Sequence, residues 1–201
     1  PTYHSGKTED LDFVISYLIE NYFYDKIMVV GYSLGGNITL KYFGEHVKTI
    51  SDKVSCGVAI SVPVDLASSS RTMGTSKNKI YMYKFLRSLR KKILIKTQKY
   101  PDYKLDIKKL LKSKTFKEFD GLYTAPVSGF TGPEDYWEKA SSKPYLTSIK
   151  KPVLLITSSD DPFLAEECYP FKEAEESNYF YLEVTKYGGH VGFISSLFSK
   201  K

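Results

Sequence analysis

The sequence predicts an α/β protein, a parallel sheet flanked by helices, on three observations. Four short apolar runs, KIMVVG, VSCGVAIS, PVLLITS and NYFYLEVT, recur along the chain. Helical segments separate them, and strands that alternate with helices pair in parallel. A glycine-flanked serine, in VVGYSLGGN, stands between the first run and the helix that follows it. With 201 residues, 42% of them hydrophobic, the chain can bury the core of one ordinary domain.

The first element in order is a helix over residues 8–22. Leu11, Val14, Ile15, Leu18, Ile19 and Tyr22 recur at helical spacing and form one apolar stripe. Thr8 can cap it, and Glu9, Asp10 and Asp12 crowd its positive end. Just before it, Gly6-Lys7-Thr8 imitates the tail of a phosphate-gripping G-x-x-x-x-G-K-[ST] loop. Counting back five residues reaches Pro1 rather than glycine, no strand precedes the motif, and three carboxylates would face any bound phosphate. No nucleotide site is expected there.

KIMVVG reads as a strand buried on both faces, as a continuous apolar run in a parallel sheet should be. Residues 37–45 read as the next helix. VSCGVAIS, PVLLITS and NYFYLEVT supply the second, third and fourth strands. Asn37-Ile38-Thr39 has the pattern of a glycosylation site, but it lies on a helix entering the core and is set aside.

From residue 66 to about 149 the pattern becomes helical and loop-rich, an insertion between the second and third strands. Its charge sets it apart. From Lys77 to Lys117 fifteen Lys and Arg stand against two Asp, a local balance of +13, while the whole chain carries +6 and the remainder therefore −7. Such a split marks a segment with its own environment rather than a uniformly basic nucleic-acid binder. Within it Met82, Phe85, Leu86, Leu89 and Ile93 form an apolar helical stripe, flanked by Lys84, Arg87, Arg90, Lys91 and Lys92. One reading packs that stripe on the core with solvated lysines outside. Another lays the helix on an anionic membrane as a peripheral contact.

Cys56 and Cys168 fit neither a metal spacing nor a disulfide framework, and unpaired thiols suit a reducing compartment. Cys56 is expected to be buried in its apolar run, while Cys168 lies in a Glu-rich loop that says little. His4, His46 and His190 show no paired metal-ligand spacing, so neither a metal nor a cofactor is expected. No apolar run approaches the roughly 20 residues of a membrane span, and no signal segment opens the chain. The chain begins at Pro1 rather than Met, so the natural start is expected upstream, with room there for a membrane-associating segment.

The chemistry gathers at the strand ends. Gly31, Ser33 and Gly35 complete G-x-S-x-G directly between a strand and a helix. A sharp strand-to-helix turn forces the serine into a strained backbone and lifts its hydroxyl above the sheet. Flanking glycines remove Cβ atoms that would collide in the bend. A serine needs a base to take its proton. His190, in the glycine-rich loop YGGHVGF after the fourth strand, is the candidate; His4 and His46 lack that placement. A carboxylate should orient the imidazole. Asp161 is favoured because Pro162 directs the chain across the strand ends, with Asp160 beside it and Asp65 after the second strand as alternatives.

These residues resemble the α/β-hydrolase superfamily, and within it the YheT-like branch. YHSGKTED, GYSLGGNITLKYFGE, ISVPVDL, KFLRSLRKK, FKEFDGLYTAPVSGF, DYWEKASSKPYL, SSDDPF and GGHVGF occur in the order that family shows. The resemblance implies an α/β-hydrolase fold with a hydrolase core over residues 1–66 and 150–201 and a helical cap over 67–149. It also implies a serine carboxylic-ester hydrolase acting on acyl or lipid esters, with Ser33 as nucleophile, Asp161 as acid and His190 as base. The backbone N–H of Leu34 would be one oxyanion donor. Alternatives within the resemblance are an alcohol acyltransferase making medium-chain ethyl esters, or a non-catalytic lipid-binding or scaffold member. Such folds have about eight strands and only the last four are found here. The early strands and the second oxyanion donor are therefore expected outside this chain, residues 1–201 alone are expected to be inactive, and the helix after His190 is expected to be cut short at Lys201.

Overall fold

Four strands, β1 (Ile27–Tyr32), β2 (Val54–Ile60), β3 (Val153–Ser158) and β4 (Phe180–Thr185), lie side by side in that order, every neighbouring pair parallel. The computed structural model describes residues 3–100 and 105–193. Parallel neighbours need long crossovers, and helices supply them. Helix α1 (Glu9–Asn21) precedes β1, and α2 (Leu34–Glu45) joins β1 to β2. Between β2 and β3 come α3 (Leu66–Met73), α4 (Lys79–Lys99), α5 (Ile107–Lys112), α6 (Phe116–Phe119), a π turn at Asp120–Thr124, α7 (Ala125–Val127), α8 (Pro133–Ala140) and a 3₁₀ segment, Lys143–Ser148. Helix α9 (Phe171–Glu175) leads into β4.

Alternate strand residues Val29, Ala59, Val153, Leu155 and Phe180 face one core with Leu40, Tyr42 and Phe43 of α2. Leu146 and Ile149 join that same core, so the end of the long insertion packs with the sheet. A Cβ at Gly57 would lie 2.9 Å from the Phe43 ring, so the bare glycine lets α2 press on β2. The rest of the insertion builds two further apolar clusters, one from Met73, Met82, Leu86, Ile93, Leu110, Phe119 and Tyr123, the other from Leu66, Ala125, Tyr136, Trp137 and Ala140.

Several expectations need correction. Among the described residues β1 is not buried on both faces: it is an outer strand of the four-stranded sheet, and Met28, Val30 and Tyr32 are exposed on the face away from α2. Of the stripe on α1, Ile15 is buried and Leu11 and Ile19 pack at the core's edge, while Val14 and Tyr22 stand exposed. Thr8 does not cap α1 with its side chain; its hydroxyl donates to Glu45 at 2.9 Å and so ties α1 to the end of α2. α2 starts three residues earlier than expected. Cys56, expected to be buried, is only partly so, while Cys168, for which the sequence said little, is fully buried. Asn37 is buried, with its side-chain amide bonded to the carbonyls of Ser5 and Ala140 and to the N–H of Ser142. The helix expected after His190 falls on residues 194–201, outside the described residues.

Candidate active site

Parallel strands all end at the same rim, and the residues of interest stand on that rim. Ser33 follows β1 with φ 50° and ψ −118°, a conformation that costs a non-glycine residue about 1–3 kcal/mol. Its N–H donates to the Ile60 carbonyl at 2.8 Å, which extends the pairing of β1 with β2 into the bend. A Cβ at Gly31 would lie 2.4 Å from the Gly35 carbonyl oxygen, so that glycine is required. Gly35, expected to be the second crowded position, has nothing within 4 Å of its would-be Cβ; the crowding falls on Gly36, 2.4 Å from Val62. The reason is that α2 has already begun at Leu34, which turns Gly35 outward and Gly36 toward β2. The N–H groups of the first turn, Leu34 included, have no acceptor within the helix.

His190 reaches this point from the far side of the sheet. Its Nε2 lies 2.8 Å from Ser33 Oγ, and its Nδ1 lies 2.8 Å from Asp161 Oδ2. With Nδ1–H donating to the carboxylate, Nε2 is left to accept from the serine hydroxyl. The Asp161 side chain is fully buried, and its other oxygen accepts the Phe163 N–H at 2.9 Å. The Phe163 ring packs against the imidazole, centroids 4.5 Å apart.

The two alternative carboxylates hold other things. Asp160 accepts the N–H groups of Gly188 at 3.0 Å and Gly189 at 2.8 Å, so it clamps the loop that carries His190. Those contacts, that of Gly189 foremost, hold its carboxyl below the usual aspartate range. Gly189 has φ 57°, and Gly188 passes so close to Ser158 that a Cβ would lie 2.9 Å away. Asp65 caps α3, accepting the Ser68 N–H at 2.8 Å.

A cavity of about 530 Å³ opens beside Ser33, Leu34 and His190. One part of its wall is apolar, built from Met73, Phe85, Leu89, Phe116, Phe119 and Phe163. Another is polar and was not anticipated from sequence: His4, Ser5, Asp120, Thr124 and Tyr136. Asp120 opens the π turn, and its two oxygens accept from the Thr124 hydroxyl at 2.6 Å and the Trp137 indole at 2.9 Å. Burial raises its pKa above the usual aspartate value. Burial also lowers that of His4 and pushes Tyr136 up to about 12. The signal that could have found His4 was its place in YHSGKTED, just ahead of α1. Among the described residues no His, Cys, Asp or Glu cluster could hold a metal ion.

A parallel sheet flanked by helices, with a strained serine at the turn after a strand, defines the α/β-hydrolase class. The model of the alpha/beta hydrolase fold family matches residues 1–196, and the chain belongs to that family, in the branch that includes YheT. It is 32% identical over 96% of its length to the putative esterase YheT of Escherichia coli, covering 56% of that protein. It is 30% identical to a monoacylglycerol lipase of Saccharomyces cerevisiae, with 95% of this chain and 43% of that one aligned. It is 28% identical over its whole length to human phospholipase ABHD3, of which it covers 48%. The chain thus spans about half the length of the relatives it matches. Among solved structures, the Pyrococcus furiosus esterase Pf2001 shares the fold at a TM-score of 0.55 and 22% identity, over 94% of this chain and 55% of that one.

Proposed function

We propose that the protein of which these residues form part is a serine carboxylic-ester hydrolase of lipid or other acyl esters. The observation that carries this reading is the unbroken hydrogen-bond line from Ser33 through His190 to Asp161, each contact 2.8 Å long. In the reaction Ser33 Oγ attacks the ester carbonyl as His190 Nε2 takes its proton. Asp161 holds the imidazole and stabilises the cation formed. The N–H of Leu34 donates to the developing oxyanion. His190 then protonates the departing alcohol, and water, activated by the same imidazole, releases the acyl group from Ser33. An alcohol in place of water would give a new ester instead.

The apolar wall of the cavity suits an acyl chain, and the relatives named a monoacylglycerol lipase and a phospholipase support a lipid ester. Residues 67–149 act in this reading as the cap, since Met73, Phe85, Leu89 and Phe116 close the cavity over Ser33. A fluorophosphonate probe tests it. The full-length protein should be labelled on Ser33, and Ser33→Ala should abolish both labelling and turnover of a soluble acyl ester. A folded protein that the probe leaves unlabelled would overturn the assignment in favour of a lipid-binding scaffold.

A further inference from the structure

Helix α4 carries eight Lys or Arg and no Asp or Glu over its 21 residues. Its inward stripe is accounted for, since Met82, Leu86 and Ile93 are buried in one of the insertion's own clusters. The opposite side is not. Ile80 and Tyr83 are 70% and 60% exposed, with Leu94 and Ile95 also open to solvent. Between them stand Lys84, Arg87 and Lys91, exposed and, among the described residues, without an ion pair. At 3.6 residues per turn these seven side chains fan over an arc of about 120°. Two costs meet on this face, apolar area in water and like charges with nothing to offset them. A single kind of partner relieves both.

We propose that this face of α4 docks on an anionic lipid surface. Basic side chains at the rim of a helix are drawn to anionic headgroups, and bulky apolar ones between them sink into the headgroup and acyl boundary. A nucleic acid would satisfy the charges and leave Ile80, Leu94 and Ile95 in water, so lipid is the better fit.

The same helix borders the cavity. Phe85, Ser88 and Lys92 are exposed and also line it, so they form part of its rim. The Tyr81 and Phe85 rings pack on Phe163 at 4.8 and 6.0 Å, and Phe163 packs on His190. Docking by α4 therefore brings the cavity's rim down to the lipid, and an ester could pass from one to the other without crossing water. That route rests on the reading of Ser33 as nucleophile; the docking itself does not.

Vesicle co-sedimentation of the full-length protein tests it, with vesicles of phosphatidylcholine alone or mixed with phosphatidylglycerol. The protein should partition to the mixed vesicles and weaken as salt is added. Each basic residue near such a surface contributes roughly fivefold. Lys84→Glu with Arg87→Glu and Lys91→Glu should then lower partitioning by at least about a hundredfold. Ile80→Ser with Tyr83→Ser, and separately Leu94→Ser with Ile95→Ser, should lower it as well. Circular dichroism checks that each variant folds, and the salt dependence of the unaltered protein stands even if one does not. All of them should hydrolyse a dissolved short-chain ester as before, and Ser33→Ala should bind vesicles undiminished, which separates docking from catalysis. Three results would each overturn the proposal: no preference for the mixed vesicles, binding indifferent to charge reversal, or binding lost on charge reversal but untouched by the serine substitutions. The last would indicate a purely electrostatic partner such as a nucleic acid.

Discussion

Asp160 and Asp161 are neighbours of identical chemistry with different tasks. Asp161 is buried against the imidazole, while Asp160 grips two backbone N–H groups of the loop on which that imidazole rides. Their exchange effects should differ in kind. Asp161→Asn leaves the volume unchanged but favours the wrong imidazole tautomer, so kcat for a soluble ester should fall on the order of 10⁴-fold with little loss of stability. Asp160→Ala removes the clamp, so it should lower Tm and raise the hydrogen exchange of residues 186–190, with a smaller fall in kcat. Chain order alone leaves the two open. Pro162 favoured Asp161, but which carboxylate faces the ring depends on a turn that adjacent residues share. Asp120 makes a different case. Burial raises its carboxyl pKa above the unfolded value of about 3.8, so the folded state holds the proton more tightly and the contribution of this one group to stability is fully present below that value. Stability is lost as pH rises through the window up to the folded pKa. Asp120→Asn should abolish that part of the pH dependence, which denaturant unfolding from roughly pH 3 to roughly pH 7 would measure.

Among elements, the turn from β1 into α2 shows what pattern reading can and cannot supply. The four strands were legible because a run of apolar residues bounded by polar or glycine-rich sequence has few other uses at that length. The start of α2 was not, because Leu34-Gly35-Gly36 reads as loop until the backbone of Ser33 is seen to turn sharply enough to begin a helix at once. The same geometry separates two glycines that look equivalent in the motif. Gly31→Ala should destabilise by about 1–3 kcal/mol, since the new methyl meets backbone at Gly35. Gly35→Ala meets open space and should be neutral or slightly stabilising, as alanine is preferred in a helix. Thermal unfolding of the two variants side by side would decide; equal losses would contradict this account of the turn. The exposed side of β1 was also illegible, since a continuous apolar run does not tell which of its faces α2 covers.

Across the described residues, three apolar clusters share the stability, the third built from Leu66, Ala125, Tyr136, Trp137 and Ala140. Leu155 sits in the core beneath the sheet and Leu86 in the cluster between α4 and the segments that follow it. Each is buried almost completely, and replacement of either by alanine should cost about 2–5 kcal/mol. The losses should differ in place: Leu86→Ala should speed amide exchange in α4 while β3 stays protected, and Leu155→Ala should loosen both. The cavity lies between these bodies, and its polar wall was the least legible part of the site. His4, Asp120 and Tyr136 come from three segments with no shared motif, and only folding makes them neighbours.

The strand order has a geometric corollary. Ser33 leaves β1 and His190 follows β4, with β2 and β3 lying in between. Adjacent strands are about 4.8 Å apart, so the two ends begin roughly 14 Å from one another. The loop with His190 must lean back over both intervening strands to reach the hydroxyl. The sheet's width thus works as a crosswise ruler: a strand inserted between the outer pair would part base from hydroxyl while every motif in the chain stayed intact.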